Sequence, residues 1–314
     1  LSALLFSSFI SVSAFALPIG QDLPLESFRG ATAAIRGTDG VNFEGIVALS
    51  NCSGSIVRYE SSHDDDRAMV FTNGHCNEHG MPDPGTFEIN TDSSREFAVL
   101  DPKTAEGLGN VQAEKILYST MTKTDITMYR LTSTYREILT RFHIRPLTVS
   151  SKQASPGQKI EIISGYWKRG YACAIDHFVD TLKEAGWTMR NSIRYTEPGC
   201  EIIGGTSGSP VILAGTDQLV GLNNTTNESG ENCTMDNPCE VNKDGSVIAE
   251  KGASYGQQVA LIYSCLDSEM RLDLKIPTCR LPGGPQSGSA TFRRISRSSR
   301  RDSLAKPKPF PRSS

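Results

Sequence analysis

Three short segments carry residue types suited to nucleophilic catalysis. Gly204-Gly205-Thr206-Ser207-Gly208-Ser209-Pro210 sets a serine among glycines ahead of the apolar run Val211-Ile212-Leu213. Small neighbours let a carbonyl approach the hydroxyl, and glycine permits a turn that points successive backbone N–H groups at one spot. By itself the stretch reads equally well as a surface Gly/Ser turn. Met69-Val70-Phe71-Thr72-Asn73-Gly74-His75-Cys76 places a histidine directly after a strand-like run. Imidazole can take a proton from a serine hydroxyl near neutral pH and return it to a leaving amine. In Lys123-Thr124-Asp125-Ile126-Thr127-Met128-Tyr129-Arg130-Leu131, Asp125 stands at the mouth of an alternating run. A carboxylate there can hold one tautomer of His75 and stabilise the imidazolium. Cys52 lies on the preceding run, and a Cys52–Cys76 bridge would fix the base beside the cleft.

The segment His75-Cys76-Asn77-Glu78-His79 also fits the H-x-x-E-H pattern of a zinc peptidase. That pattern works on a helix, where positions i and i+4 share a face. A β-like run and Gly74 precede it, and Gly80-Met81-Pro82-Asp83-Pro84 follows at once, so a helix has no room to continue. His79 and Glu78 are expected to be loop residues, and neither metal nor cofactor is expected.

The elements that must hold these residues read as short β-branched and apolar runs between turn residues, such as Gly45-Ile46-Val47-Ala48-Leu49, Glu96-Phe97-Ala98-Val99-Leu100 and Lys159-Ile160-Glu161-Ile162-Ile163. The fold class is therefore all-β, sandwich or barrel. A Ser/Pro/Gly stretch from Ser150 to Gly157 divides the strands into two sets, which places one barrel at 41–149 and a second at 150–279. Phe178, Leu182, Ala185 and Met189 recur at helical spacing and suggest one helix over 176–189, weakened by Gly186. Asp64-Asp65-Asp66 with His63 reads as a solvated hairpin tip, and His143 and His177 show no evident partner.

Residues 1–16 are apolar, uncharged and end in Ala14-Phe15-Ala16, the pattern of an export signal followed by a cleavage site. Too short for a membrane span, they imply a secreted or periplasmic protein whose eight cysteines form four disulfides. Cys233 and Cys239 are expected to close a small loop. Residues 17–40 read as an N-terminal segment or propeptide. The net charge of −3 hides an uneven distribution, because residues 280–314 carry nine Lys/Arg and one acidic residue. That tail lacks the apolar periodicity to bury a core and is expected to be disordered. With no folded motif beside it, no specific nucleic-acid partner is expected, and a monomer is.

Taken together, Thr-Asn-Gly-His-Cys, Thr-Asp-Ile-Thr-Met-Tyr-Arg-Leu and Gly-Gly-Thr-Ser-Gly-Ser-Pro-Val, in the order His, Asp, Ser, resemble the trypsin-like serine peptidases. In motif style the chain resembles their glutamyl-endopeptidase-like members. The resemblance covers about Gly40 to Leu266 and implies two six-stranded antiparallel β-barrels with the active site in the cleft between them. It implies a serine endopeptidase acting on proteins or peptides through a His75, Asp125, Ser207 triad, with the Gly205 and Ser207 amides as oxyanion hole. The pocket walls carried over are Glu201 and Ile202 before the serine, and Asn223, Asn224 and Thr225 after it. Glu201, six residues before Ser207, implies a preference for Lys or Arg at P1. Two positions depart from the family. Thr206 stands where digestive enzymes carry an aspartate that pairs with a new N-terminus, and Asn223 stands where the glutamyl endopeptidases carry a histidine. The alternative reading is a silent barrel-pair protein that binds rather than cuts, its cleft blocked by the insertion 227–252.

Overall fold

The computed structural model describes residues 40–288 and 292–295 and the backbone of Ile35–Arg36. The expected export signal, and nearly all of the segment that follows it, lie outside the described residues. After β1 (Ile35–Arg36), the first set of strands is β2 (Ile46–Ala48), β3 (Ser53–Arg58), β4 (Arg67–Thr72), β5 (Thr86–Asp92), β6 (Glu96–Leu100), β7 (Gly107–Thr120) and β8 (Ile126–Thr134). Antiparallel pairing closes a ring in the order β2, β3, β4, β8, β7, β6 and back to β2. The long β7 also holds β5, with Phe87 opposite Thr120 and Asp92 opposite Lys115.

Helix α1 (Tyr135–Phe142) follows, started by a capping box in which the Thr134 side chain accepts from the Glu137 amide and Glu137 reaches back. Next comes β9 (Leu147–Val149), which pairs in parallel with β3 and with a strand of the second set. That set comprises β10 (Lys159–Ser164), β11 (Arg169–Glu184), β12 (Trp187–Tyr195), β13 (Pro210–Leu213), β14 (Gln218–Thr226), β15 (Cys239–Val241), β16 (Val247–Ile248) and β17 (Ser254–Gln258). Its antiparallel ring runs β10, β11, β12, β17, β14, β13 and back to β10. Two six-stranded barrels are thus formed, as expected. The partner of β9 in the second barrel is β14.

Several strands are apolar on both faces because each face meets a different core. In β4, Val70 points into the first barrel with Ile56, Phe97 and Val99. Its neighbours Met69 and Phe71 join Ile163, Ile212, Leu219 and Leu222 of the second barrel in a shared core. Side chains alternate with period two along a strand, so a strand lying between two cores must be apolar at every position. That is why 68–71 reads as a continuous apolar run.

Three expectations need correction. Residues 176–189 form no helix: they are the end of β11 and the start of β12, with Leu182 opposite Met189 and Glu184 opposite Trp187. The spacing of four that suggested a helix is even, so it places Phe178 and Leu182 on one face of a strand equally well. Ala185, at φ +47°, turns the chain beside Gly186. His177 has partners, with Nδ1 at 3.0 Å from Asp176 and Nε2 at 3.2 Å from Glu240. Nor is the tail free from its start. Leu281 is fully buried, Tyr118 Oη donates to Pro282 O at 2.9 Å, and the Lys123 ammonium donates to Ser287 O. A short β18 (Arg293–Ile295) then runs parallel to β5. The remaining tail lies outside the described residues.

Candidate active site

Strand β4 ends at Thr72, and Gly74–Cys76 form a single 3-10 turn. Gly74 is required by close approach, since a Cβ there would stand 2.0 Å from Thr120 O and 2.8 Å from Asp125 Oδ1. The turn is bolted at both ends. Cys76 is disulfide-bonded to Cys52, as expected, and the His75 amide donates to Asp125 Oδ1 at 3.1 Å. His75 Nδ1 lies 2.7 Å from Asp125 Oδ2. Asp125, immediately before β8, is only 1% exposed. Burial disfavours the charged imidazole, and the Asp125 carboxylate opposes this through charge and hydrogen bond. Glu184 and Asp236 add to it, so the His75 pKa is raised above its ordinary value. Cys52, Cys76 and His75 lie close enough to suggest a metal site, yet both sulfurs are committed to the disulfide. His79 stands on no common helix with His75, and its Nδ1 lies 2.8 Å from Glu88.

Ser207 opens on the same cavity as His75 and Asp125. Its hydroxyl donates to the Asn224 carbonyl at 3.4 Å, a long hydrogen bond, and not to His75. The Ser207 carbonyl accepts from the Ser53 amide at 2.8 Å. Gly208 N–H donates to Asn73 Oδ1 at 2.6 Å and to Asn223 O at 2.9 Å. Asn73 is the tie that sequence reasoning missed: fully buried, it also donates from Nδ2 to Asp125 O at 2.9 Å. One side chain therefore joins the loop of Ser207 to the segment of Asp125. Among the described residues, no carbonyl accepts from the Gly205 or Ser207 amide.

The cavity is lined by Ile202, Asn223, Asn224 and Thr225, the walls expected from the sequence. Glu201 is the exception. It does not line the cavity, and both of its carboxylate oxygens accept from the Gly199 amide at 3.2 Å. Cys200 is held in the core by its disulfide to Cys173 on β11, and this directs the neighbouring Glu201 away. Asn223 serves the serine loop, since its Nδ2 donates to Thr206 O at 3.2 Å. Thr206 is buried, its hydroxyl 3.4 Å from Tyr171 Oη.

Three carboxylates that the sequence reading did not single out line the cavity: Glu184 from the tip of β11, and Glu228 and Asp236 from the insertion. Burial raises the Glu184 pKa, partly offset by the Thr225 side chain and the Asp236 amide, which donates at 3.0 Å. The Cys233–Cys239 bridge closes the loop that carries Asp236. No signal short of the β11–β12 pairing could have brought Glu184 here.

Two closed antiparallel barrels, with a histidine, an aspartate and a serine on one cavity, define the trypsin-like two-barrel class. The family model described as trypsin-like peptidase domain matches residues 52–222, more than half of the chain, and the chain belongs to that family. No curated protein matches the chain. Among solved structures it is similar to the MamO protease domain of Magnetospirillum magneticum, at 14% identity over 73% of this chain and 100% of that one, TM-score 0.44. It is also similar to a Cellulomonas bogoriensis chymotrypsin (13% identity, 70% of this chain and 91% of that one, TM-score 0.38). A Nocardiopsis protease is a third (16% identity, 69% and 91%, TM-score 0.38). These likenesses are distant, and the assignment rests on the family match.

Proposed function

We propose that the protein is an exported serine endopeptidase in which Ser207, His75 and Asp125 form the catalytic triad. The observation that carries this is the double grip of Asp125 on His75, at 2.7 Å on Nδ1 and 3.1 Å on the amide, in the cavity that Ser207 shares. With Nδ1–H held by the carboxylate, Nε2 is the free base. Ser207 Oγ bonds to the peptide carbonyl carbon while its proton passes to Nε2. The oxyanion is held by the Gly205 and Ser207 amides. The imidazolium then protonates the leaving amine as the C–N bond breaks, and water repeats the sequence to release the acid.

Purified wild-type protein should cleave a peptide library and take up an organophosphate at Ser207, located by mass spectrometry. Ser207→Ala should lower turnover by roughly 10⁴- to 10⁶-fold with the fold intact. Full proteolysis by that variant would refute the assignment. Absence of labelling on a folded wild type would favour the silent, binding alternative.

A cationic side chain, Lys or Arg, at or beside P1 is the substrate class the cavity favours. Glu184, Glu228 and Asp236 line it with no Lys or Arg among the described lining residues, and they take over the part first expected of Glu201. A cleavage profile with no enrichment of Lys or Arg next to the cut would end this idea. Four disulfides support an oxidising compartment, and a mature N-terminus at Leu17 would confirm export. No helix among the described residues is long and apolar enough to cross a membrane.

A further inference from the structure

We propose that Trp167 is a positioning residue whose indole N–H latches the Gly204–Gly205 peptide so that the Gly205 amide faces the oxyanion. The inference rests on the serine peptidase reading above. Trp167 sits in the turn between β10 and β11, a turn held by a hydroxyl pair. Tyr166 N–H donates to Ser53 Oγ at 3.1 Å, Trp167 N–H donates to Ser164 Oγ at 3.1 Å, and the two hydroxyls lie 3.0 Å apart. The Ser53 amide in turn donates to the Ser207 carbonyl. From this anchored turn, Trp167 Nε1–H donates to Gly204 O at 2.7 Å.

A trans peptide is planar and its C=O and N–H point in opposite directions. Fixing Gly204 O on the indole therefore turns the Gly205 N–H away from Trp167. The same aromatic pair closes that side: a Cβ on Gly205, at φ +87°, would stand 2.8 Å from Trp167 Nε1 and 3.1 Å from Tyr166 Cδ1. The amide so aimed has no protein acceptor among the described residues, and Gly204 lines the cavity with Ser207. Two adjacent glycines offer almost no steric resistance to a flip of the peptide between them. A flip would present a carbonyl where a donor is needed, and the indole hydrogen bond is what opposes it.

Trp167→Phe keeps an aromatic body and lacks the donor. Its kcat on a peptide or ester substrate should fall by roughly 10- to 10³-fold, up to the cost of losing one oxyanion donor. KM should stay within about threefold, because ground-state binding does not use the amide. A peptidyl trifluoromethyl ketone, which forms the oxyanion adduct, should lose affinity in proportion to kcat/KM, while a product peptide binds unchanged. The acid limb of the pH profile should not move, since His75 is untouched. If Trp167→Phe does not fold, incorporation of benzothienylalanine, which replaces the indole N–H by sulfur in the same shape, gives the same readouts. Wild-type kcat in a folded variant, or a change confined to KM, would overturn the latch alone. A wild type that neither cleaves nor labels at Ser207 would overturn the latch together with the peptidase reading.

Discussion

Replacing Asn73 by alanine tests whether the two halves of the site are tied by one side chain. Asn73 is fully buried, donates to Asp125 O at 2.9 Å and accepts from Gly208 N–H at 2.6 Å. Truncation does not treat the two ends alike. Gly208 N–H keeps a second acceptor, Asn223 O at 2.9 Å, so its loss is that of an ordinary hydrogen bond, about 0.5–1.5 kcal/mol. Asp125 O has no other donor among the described residues and is left buried and unpaired, which costs about 1–3 kcal/mol. The expected destabilisation is therefore about 1.5–4.5 kcal/mol, measured by urea unfolding with the disulfides intact and read as a lower midpoint at constant slope. Asn73→Asp supplies the control. Its carboxylate still accepts from Gly208 N–H, but it offers only oxygen to Asp125 O at neutral pH. The new carboxyl should hold its proton more tightly when folded than when unfolded. That stability should then be fully present below the unfolded value, be lost as pH rises from it through the higher folded value, and return on acidification. A cost below about 0.5 kcal/mol for Asn73→Ala, or an Asn73→Asp variant insensitive to pH, would refute the reasoning.

Glu184→Gln should move the acid limb of kcat/KM to lower pH, because the Glu184 charge helps to raise the His75 pKa; a limb that stays or moves up contradicts the assignment. Since the folded pKa of His75 is raised, its contribution to stability is present below about 6.5, the unfolded value. It is lost as pH rises through the folded one, and a pH series of unfolding midpoints for wild type and His75→Ala will show whether it does. Arg194→Ala should destabilise the second barrel by about 3–5 kcal/mol. It would strip Glu240, only 5% exposed, of a 2.8 Å ion pair, and the exposed Glu250 of one at 2.6 Å. The double variant Arg194→Met, Glu240→Gln should recover part of that loss, and no recovery would show that packing, not charge, was removed.

The residues of the proposed triad were legible because each is announced by its immediate neighbours. His75 follows a strand and precedes a cysteine, Asp125 opens an alternating run, and Ser207 sits among glycines before an apolar strand. The all-β class and the two-barrel division were legible for the same local reason, since strand periodicity and turn residues act over a few positions. The walls of the cavity were not. Glu184 reached it only because β11 extends to residue 184 and folds back on β12, whereas its spacing of apolar residues served a helix as well as a strand. Glu201 left the cavity because Cys200 is tied to Cys173, a pairing that eight cysteines leave open. Asn73 gained its role from Gly208, 135 positions away, and Trp167 from Gly204, 37 positions away. Local sequence determined which groups each segment carries and, outside 176–189, that the segments are strands. Closure of two rings, which brings distant strand ends to one cleft, decided which of those groups meet, because a hydrogen bond of 3 Å depends on register and packing that no short window contains.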